Sequence, residues 1–293
     1  MSTMKLTRIP LLSGFAFICL FVSNTVPGQT PPARSADQAA ELRGGKGFIA
    51  TEVFSLEDDK KILALFEGLR VADVSDGMDK AGLHSTGLMS PDIRPLWKDT
   101  TNFSHRFVGI AVTARYAPTQ LPPAGKMAPQ DFDKWEGQWY SRISSEPFVP
   151  LLREGSALVI EEAGEQDVGS IGSNNILTWK ERGMVGLVTS NSARDTDEII
   201  AQKIPLYFRQ VGRGIRPGRN EIESVNRPVV CGGALVKPGD VIVADGDGVI
   251  VVPRARAEEV AKYAKEVIEK DKAARTRLYE RLGLPKDKSV NPR

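Results

Sequence analysis

The chain is poor in the residues that most often build reactive centres. Its 293 residues include two cysteines and two histidines. Cys19 falls in an N-terminal apolar stretch, so Cys231 would be the only cysteine of a processed chain, and no internal disulfide could form even in an oxidising compartment. Set before Gly232-Gly233, Cys231 reads as a small core residue rather than a nucleophile. His84 and His105 form no ligand-like pair, which argues against a histidine-rich zinc site. The chain also lacks a nucleophile-elbow G-x-S-x-G, a phosphate-loop lysine motif and a G-x-G-x-x-G after a strand. Serine hydrolase, P-loop nucleotide hydrolase and dinucleotide oxidoreductase are therefore not leading readings. Neither is a nucleic-acid binder, because 39 basic residues face 37 acidic ones and such proteins usually carry a strong basic excess.

Long apolar runs are scarce as well. Leu11 to Val22, broken only by Ser13 and Gly14, is too short for a comfortable membrane span. With Lys5 and Arg8 before it and Val26 and Gly28 at the minus-three and minus-one positions, residues 1–28 read as an export signal cleaved before Gln29. A retained N-terminal anchor is the alternative. The expectation is an exported protein, periplasmic or secreted, with no stable membrane span once the signal is removed. Loss of Lys5 and Arg8 leaves 37 basic residues against 37 acidic ones. Residues 29–45, rich in Pro, Ala, Gly and polar side chains, read as a flexible leader. Residues 46–293 are long enough for a single domain with a sizeable core.

Helix and strand signals alternate within that domain. Ser55-Leu56-Glu57-Asp58 resembles a capping box, and apolar residues then recur at helical spacing up to Phe66, before Gly68. A second helix is predicted over Val71–Ala81, and strands over Phe107–Arg115 and Ala157–Glu161. Between these strands, residues 116–150 carry six prolines and two tryptophans with little periodicity, as a functional loop or embellishment does, with a short helix over 131–140. A helix over Asn175–Arg182, a strand around Leu187 and a short strand over Ile204–Gln210 follow. Val229–Val236 and Val241–Val252 complete the β-rich part, and Ala257–Leu282 is a long helix whose alternating charges suggest a solvated face. The pattern is that of a single α/β or α+β domain. Asp245-Gly246-Asp247-Gly248 reads as a tight turn, since it lacks the third acid and terminal Glu of a calcium loop. Arg209, Arg213, Arg216 and Arg219 read as a solvated or subunit-contact loop, with recruitment of an anion as the functional alternative.

The most informative stretch runs from Gly183 to Asp195. A short apolar strand ends in a turn of small residues that delivers Arg194 and Asp195 side by side. Arginine can clamp a carboxylate or enolate oxygen through two donors, and a carboxylate can hold a hard cation. The bland alternative is that Asp195 caps a helix over Thr196–Gln202, with Glu198 completing a capping-box-like start. Both readings stay open at this point.

Several ordered motifs together resemble the RraA-like family, which includes regulator of ribonuclease activity A and the metal-dependent 4-hydroxy-4-methyl-2-oxoglutarate aldolases. They are Val71-Ala72-Asp73-Val74-Ser75-Asp76-Gly77, Phe107-Val108-Gly109-Ile110-Ala111-Val112-Thr113, Lys180-Glu181-Arg182-Gly183 and the Arg194-Asp195 pair, then Cys231-Gly232-Gly233, Pro238-Gly239-Asp240 and Ala244 to Val249. The resemblance implies an α/β fold of the swivelling β/β/α type with flanking helices, assembled as trimers or hexamers with the active site between subunits. It implies a lyase, either an aldolase or an oxaloacetate-type decarboxylase, acting on a small 2-oxo acid through a metal-stabilised pyruvate enolate. Asp195 would hold Mg2+ (or Mn2+), Arg194 would contact the keto or enolate oxygen, and the backbone of Gly172, Ser173, Asn174 and Asn175 would receive the substrate carboxylate. Asp271 or Glu269 would be a carboxylate supplied by a neighbouring subunit. The chain departs from the family pattern at Ser173, where the aldolases carry an acid, and at Ser190-Asn191, where the family has Asp-Gly. Those departures favour the alternative of a non-catalytic binding or regulatory protein.

Overall fold

The computed structural model describes Ala40, Gly44, Gly45 and residues 48–163 and 167–290. The predicted signal at 1–28 lies outside the described residues, as does the leader at 29–45 apart from those three positions. The chain divides into one unit over Met1–Phe48 and a second over Ile49–Arg293, and only the second is described below.

The second unit opens with two helices, α1 (Leu56–Leu65) and α2 (Val71–Lys80). Ser55 starts α1 as the sequence predicts, its hydroxyl accepting the Asp58 N–H at 3.0 Å. Strands β1 (Arg94–Pro95) and β2 (Phe107–Pro118) follow, then α3 (Pro129–Arg142), β3 (Ser156–Glu162), α4 (Ser173–Glu181) and β4 (Met184–Thr189). Next come β5 (Ser192–Ala193), α5 (Thr196–Ala201), β6 (Leu206–Phe208), β7 (Gln210–Val211) and β8 (Asn220–Val225). Two hairpins, β9 (Val229–Cys231) with β10 (Ala234–Val236) and β11 (Val241–Asp245) with β12 (Gly248–Val252), precede the terminal helix α6 (Ala257–Leu282). Asp245 pairs with Gly248 across the turn, and Asp245 accepts N–H donors from Asp247 and Val71, so the tight-turn reading of that segment holds.

The main sheet runs β1-β6-β4-β3-β2-β11-β12, with β8 also on β2. β2, β3, β4 and β6 are mutually parallel, whereas β1, β8, β11 and β12 join antiparallel. Alternation along each strand sends side chains to opposite faces. Ala157 and Val159 of β3 pack with Ile242 and Val251 and the β9–β10 hairpin. Leu158 and Ile160 face the other way, onto Ile176 and Trp179 of α4 and Ile199 of α5. At the far end, Val241, Val243, Ile250 and Val252 pack under α2 and α6 through Val74, Met78, Val260 and Ala264. Both faces are covered, which is why β3 and β12 read as continuous apolar runs. Helix α6 keeps its charged face but buries Ala257, Val260, Ala261, Ala264 and Ile268. Cys231 is fully buried, and that burial pushes its thiol up to about 12, as suits a core residue.

His105 is part of this core. Its Nε2 accepts the Leu206 N–H at 3.2 Å, its carbonyl accepts the Tyr207 hydroxyl at 2.9 Å, and the Trp97 ring stands edge-on 3.8 Å away. A nitrogen that accepts carries no proton, so the ring is neutral, and burial lowers its pKa to about 4. Below about 6.5 the unfolded chain binds this proton and the folded chain does not. Stability should therefore fall as pH drops from 6.5 towards 4, by up to about 3 kcal/mol from this group. Chemical unfolding across that window should show the loss in wild type and less of it in His105→Gln, whose amide oxygen can accept the same N–H without titrating.

Candidate functional site

β4 carries the chain beside β3 to the edge where both strands end. There Ser190 ties the two together: its hydroxyl accepts the Glu162 N–H at 3.0 Å and donates to the Glu162 carbonyl at 3.3 Å. Strand β5 then runs next to the segment leading into α4, with an Ile171–Ala193 bridge and an Arg194 N–H donated to the Ile171 carbonyl at 2.8 Å. These bonds press Arg194 and Asp195 against the residues that open α4. Two glycines make room for them. A Cβ on Gly169 would come within 2.6 Å of the Arg194 stem, and one on Gly172 within 2.9 Å of Asp195 Oδ2.

Asp195 occupies the N-cap position of α5 but does not cap it. Its backbone is left-handed (φ 56°, ψ 41°) and its side chain makes no bond to the helix that follows. The capping reading of Asp195 is corrected accordingly. A capping side chain needs an extended N-cap backbone, and the left-handed turn swings the carboxylate away. It goes to α4 instead, where Oδ2 accepts the Ser173 N–H at 3.1 Å, with the Ser173 hydroxyl at 3.4 Å. Helix α4 begins at Ser173, two residues earlier than predicted, and its N-cap Gly172 offers no side chain to satisfy the first amides. Asp195 supplies that acceptor from another element, and negative charge at a helix start is favourable. The Arg194 Nε lies 3.8 Å from Asp195 Oδ1, and both side chains remain more than a third exposed.

The structure thus brings together Gly172, Ser173, Asn175, Arg194 and Asp195. Asn174 belongs to the same helical turn and faces solvent. Asp271 and Glu269 sit on α6 with other partners in the same chain: Asp271 is 3.5 Å from Arg70, and Glu269 is 3.0 Å from Lys272.

Behind the site lies a polar cluster that the sequence does not reveal. Glu146 accepts the Asn175 Nδ2–H at 2.7 Å, the Trp179 Nε1–H at 2.9 Å and an Arg216 Nη2–H at 2.5 Å. Arg216 is 3% exposed, and its Nη1 donates to the Tyr116 hydroxyl at 2.8 Å. The reading of this arginine as a solvated loop residue is corrected, because Glu146 and Tyr116 receive it inside the fold. Arg213 does remain at the surface, paired with Asp167. Tyr140 of α3 lies against Arg216. Its phenol pKa is raised by burial, while the positive charges of Arg216 and Arg194 pull against that rise. Glu162 is buried deeper, accepting from Ser170 and Asn220. Burial raises the pKa of its carboxyl. Residues 116–150 therefore hold more structure than their composition suggests, and supply Tyr140 and Glu146 from α3 and the turn after it.

The family model for RraA-like proteins (Aldolase/RraA) matches residues 71–251. A protein of Halalkalibacterium halodurans, provisionally named 4-hydroxy-4-methyl-2-oxoglutarate aldolase, is 32% identical over 120 residues, which are 41% of this chain and 56% of that protein. Protein DlpA of Legionella pneumophila is 26% identical over 191 residues, 64% of this chain and 27% of that protein. The chain thus spans little more than half, or less, of the length of these curated relatives. Among solved structures, an uncharacterized protein from Pseudomonas syringae superposes with a TM-score of 0.59 at 26% identity, covering 77% of this chain and 94% of its own. RraAS2 of Streptomyces coelicolor, described as an unusual member of the RNase ES inhibitor RraA family, superposes with a TM-score of 0.60 at 20% identity, covering 75% and 98%; it shows the shared fold.

The rerouted cap has a measurable signature. Asp195→Ala should cost about 1 kcal/mol, the usual scale of a lost N-terminal cap. Amide exchange should quicken at Ser173 and stay unchanged at Asp197 and Glu198. Faster exchange at the start of α5 instead would restore the simple capping reading.

Proposed function

Since the chain belongs to the RraA-like family, we propose that it is a divalent-metal-dependent carbon–carbon lyase acting on a small 2-oxo acid. The observation that carries this reading is the meeting of Arg194, Asp195 and the N-terminus of α4 at one point, bordered by Gly172. Asp195 fits a hard cation. Its carboxylate is partly exposed and accepts one good N–H bond, which leaves lone pairs facing solvent. Among the described residues no three histidine, cysteine, aspartate or glutamate side chains converge as a metal cage. An ion held by Asp195 would keep most of its shell as water, the usual habit of magnesium. When bound, magnesium or manganese supplies Lewis-acid polarisation of the 2-oxo acid.

The chain's own residues do the rest. The opening amides of α4 beyond Ser173, whose own N–H is taken by Asp195, would attract the substrate carboxylate together with the helix dipole. Arg194, its stem backed by Gly169, offers a planar fork to the oxygen that becomes negative as the bond breaks. Donors fixed before reaction need no reorganisation when the charge appears. No lysine Schiff base is required. The names carried by the relatives support an aldol cleavage; decarboxylation of an oxaloacetate-like substrate would pass through the same enolate.

One observation favours a second reading, a binding or regulatory protein without turnover. The Ser190 hydroxyl is consumed by the Glu162 backbone, and Ser173 presents a hydroxyl beside Asp195. Neither is an acid able to manage a proton near neutral pH.

Pyruvate release from oxaloacetate and from a hydroxylated 2-oxoglutarate, with and without magnesium or manganese, decides between the two. Metal-dependent release is expected, and cleavage that survives complete metal removal would sink the mechanism. Asp195→Ala should abolish the metal-dependent rate. Arg194→Lys should lose about a hundredfold, because an ammonium cannot reproduce the fork. We further propose a trimer whose site is completed by Asp271 or Glu269 of a neighbouring subunit. Light scattering should report three chains, and a fully active monomer would refute the shared site.

A further inference from the structure

A cavity of about 280 Å3 lies at the opposite end of the sheet from Arg194 and Asp195. Those two residues follow the C-terminal ends of β3 and β4, whereas Arg106, on the cavity wall, comes just before β2, which runs parallel to β3. The seven residues of β3 set the two ends about 20 Å apart. The walls come from the 98–106 loop, the turn at Asp245–Asp247, α6 and the chain that follows it. The volume is near the lower end of small-molecule pockets.

Charge on these walls is unevenly answered. Arg70 is spent on Asp73 and Asp271, and Lys272 on Glu269. Lys98, Arg106 and Lys288 enter no ion pair among the described residues, and Arg275 donates to the Ser289 carbonyl at 3.1 Å. On the acidic side, Asp99 is occupied by the Thr101 and Asn102 N–H groups and the Ser104 hydroxyl. Asp245 is occupied by the Val71 and Asp247 N–H groups, which leaves Asp247 to face the unanswered cations. Positive charge is in excess. Two buried polar groups on the same walls also lack partners. His105 Nε2 accepts the Leu206 N–H, so the ring proton sits on Nδ1, and that nitrogen donates to nothing. The Ser289 hydroxyl is buried without a partner as well. Buried polar groups are normally paired, so two orphaned donors at one cavity call for an acceptor from outside the chain. Phe103 and Ile268 supply apolar wall. Phe103 is held at a φ of 53°, an uncommon conformation for a bulky side chain that concentrates at binding sites.

We propose that this cavity binds a small dicarboxylate whose two charged ends are separated by an apolar body. The excess cations stand on different segments, Lys98 and Arg106 on the loop, Arg275 on α6 and Lys288 beyond it. They suit separated negative charges better than one compact dianion. Phe103 and Ile268 offer methylene groups a surface between them. The His105 N–H and the Ser289 hydroxyl would donate to carboxylate oxygens. Ser289 and Lys288 follow α6, so an occupied cavity would fasten that segment to the body of the domain. The proposal stands independently of the lyase reading.

Calorimetry on the full chain, without divalent metal, compares suberate with malonate, which lacks the apolar body, and with octanoate, which lacks one charge. Suberate should bind at least about tenfold more tightly than either. Arg106→Gln and Lys288→Gln alter exposed side chains outside any ion pair, so the fold is not at risk. Each should weaken suberate about threefold and both together about tenfold. Lys265→Gln, exposed on α6 away from the cavity, should leave binding unchanged. Suberate should also slow amide exchange at Ser289 and Val290, and Asp195→Ala should bind it as wild type does. Absence of suberate binding would overturn the proposal, as would malonate or octanoate binding equally well. Binding insensitive to Arg106→Gln and Lys288→Gln, or lost in Asp195→Ala, would overturn it too, the last by placing the acid at the other end of the sheet.

Discussion

Asp195 adopts a left-handed backbone directly after β5, and the geometry of the site follows from that turn. In an extended conformation its carboxylate would cap α5 and take no further part. Left-handed, it crosses to the first turn of α4 and joins two elements that are separate in sequence. Aspartate tolerates this conformation better than most residues, at a cost of order 1 kcal/mol or more. The surrounding bonds hold it there: Arg194 N–H to Ile171, the Ile171–Ala193 bridge, and the close approaches allowed by Gly169 and Gly172. A helix start with no side-chain cap of its own and a carboxylate turned from its own helix satisfy each other.

The cluster behind the site obeys a stricter rule. Arg216 is almost wholly buried, and a buried charge is tolerated only when paired and hydrogen-bonded. Glu146 and Tyr116 meet that demand at the two terminal nitrogens of Arg216 and leave its Nε without a partner, while Trp179 and Asn175 add two further donors to Glu146. Such a cluster contributes little net stability, because desolvation offsets most of the attraction, yet removing one partner strands the other. Its effect is to fix orientation. Tyr116, Glu146, Asn175 and Arg216 come from β2, the turn after α3, the start of α4 and the arginine loop, and one set of bonds locks all four.

Much of the scaffold was legible in the sequence. The capped start at Ser55, the turn at Gly246-Asp247 and the long helix ending at Leu282 rest on local signals that tertiary structure did not override. Arg194 and Asp195 stand out in the sequence because a short apolar strand followed by a small-residue turn is a local pattern. The direction of the Asp195 side chain was not legible, because it depends on a dihedral angle and on a helix start more than twenty residues earlier. Arg216 and Glu146 were hidden for a related reason. An arginine among arginines and an acid among prolines look solvated until the fold brings them together across seventy residues. Local propensity places the start of α4 late because Ser173 and Asn174 are weak helix formers, and the acceptor that stabilises its first amide comes from Asp195.

The charge arithmetic at α4 bears on what the site can admit. The Ser173 amide is already taken by Asp195, so an incoming carboxylate meets a negative charge at the point where the helix would attract it. Two such charges about 4 Å apart near a protein surface repel by about 4 kcal/mol. The helix start returns about 0.3–1 kcal/mol. Arg194 adds attraction, yet it already faces Asp195 at 3.8 Å and its charge is divided between two anions. The balance would turn favourable with a divalent cation at Asp195, whose two positive charges outweigh the one negative charge of the carboxylate. A cation binding there would also draw the carboxylate's charge away from the Ser173 N–H and leave that donor free for a substrate. By this reasoning a metal and an anion would reinforce each other, and they would do so through the rerouted cap of α4.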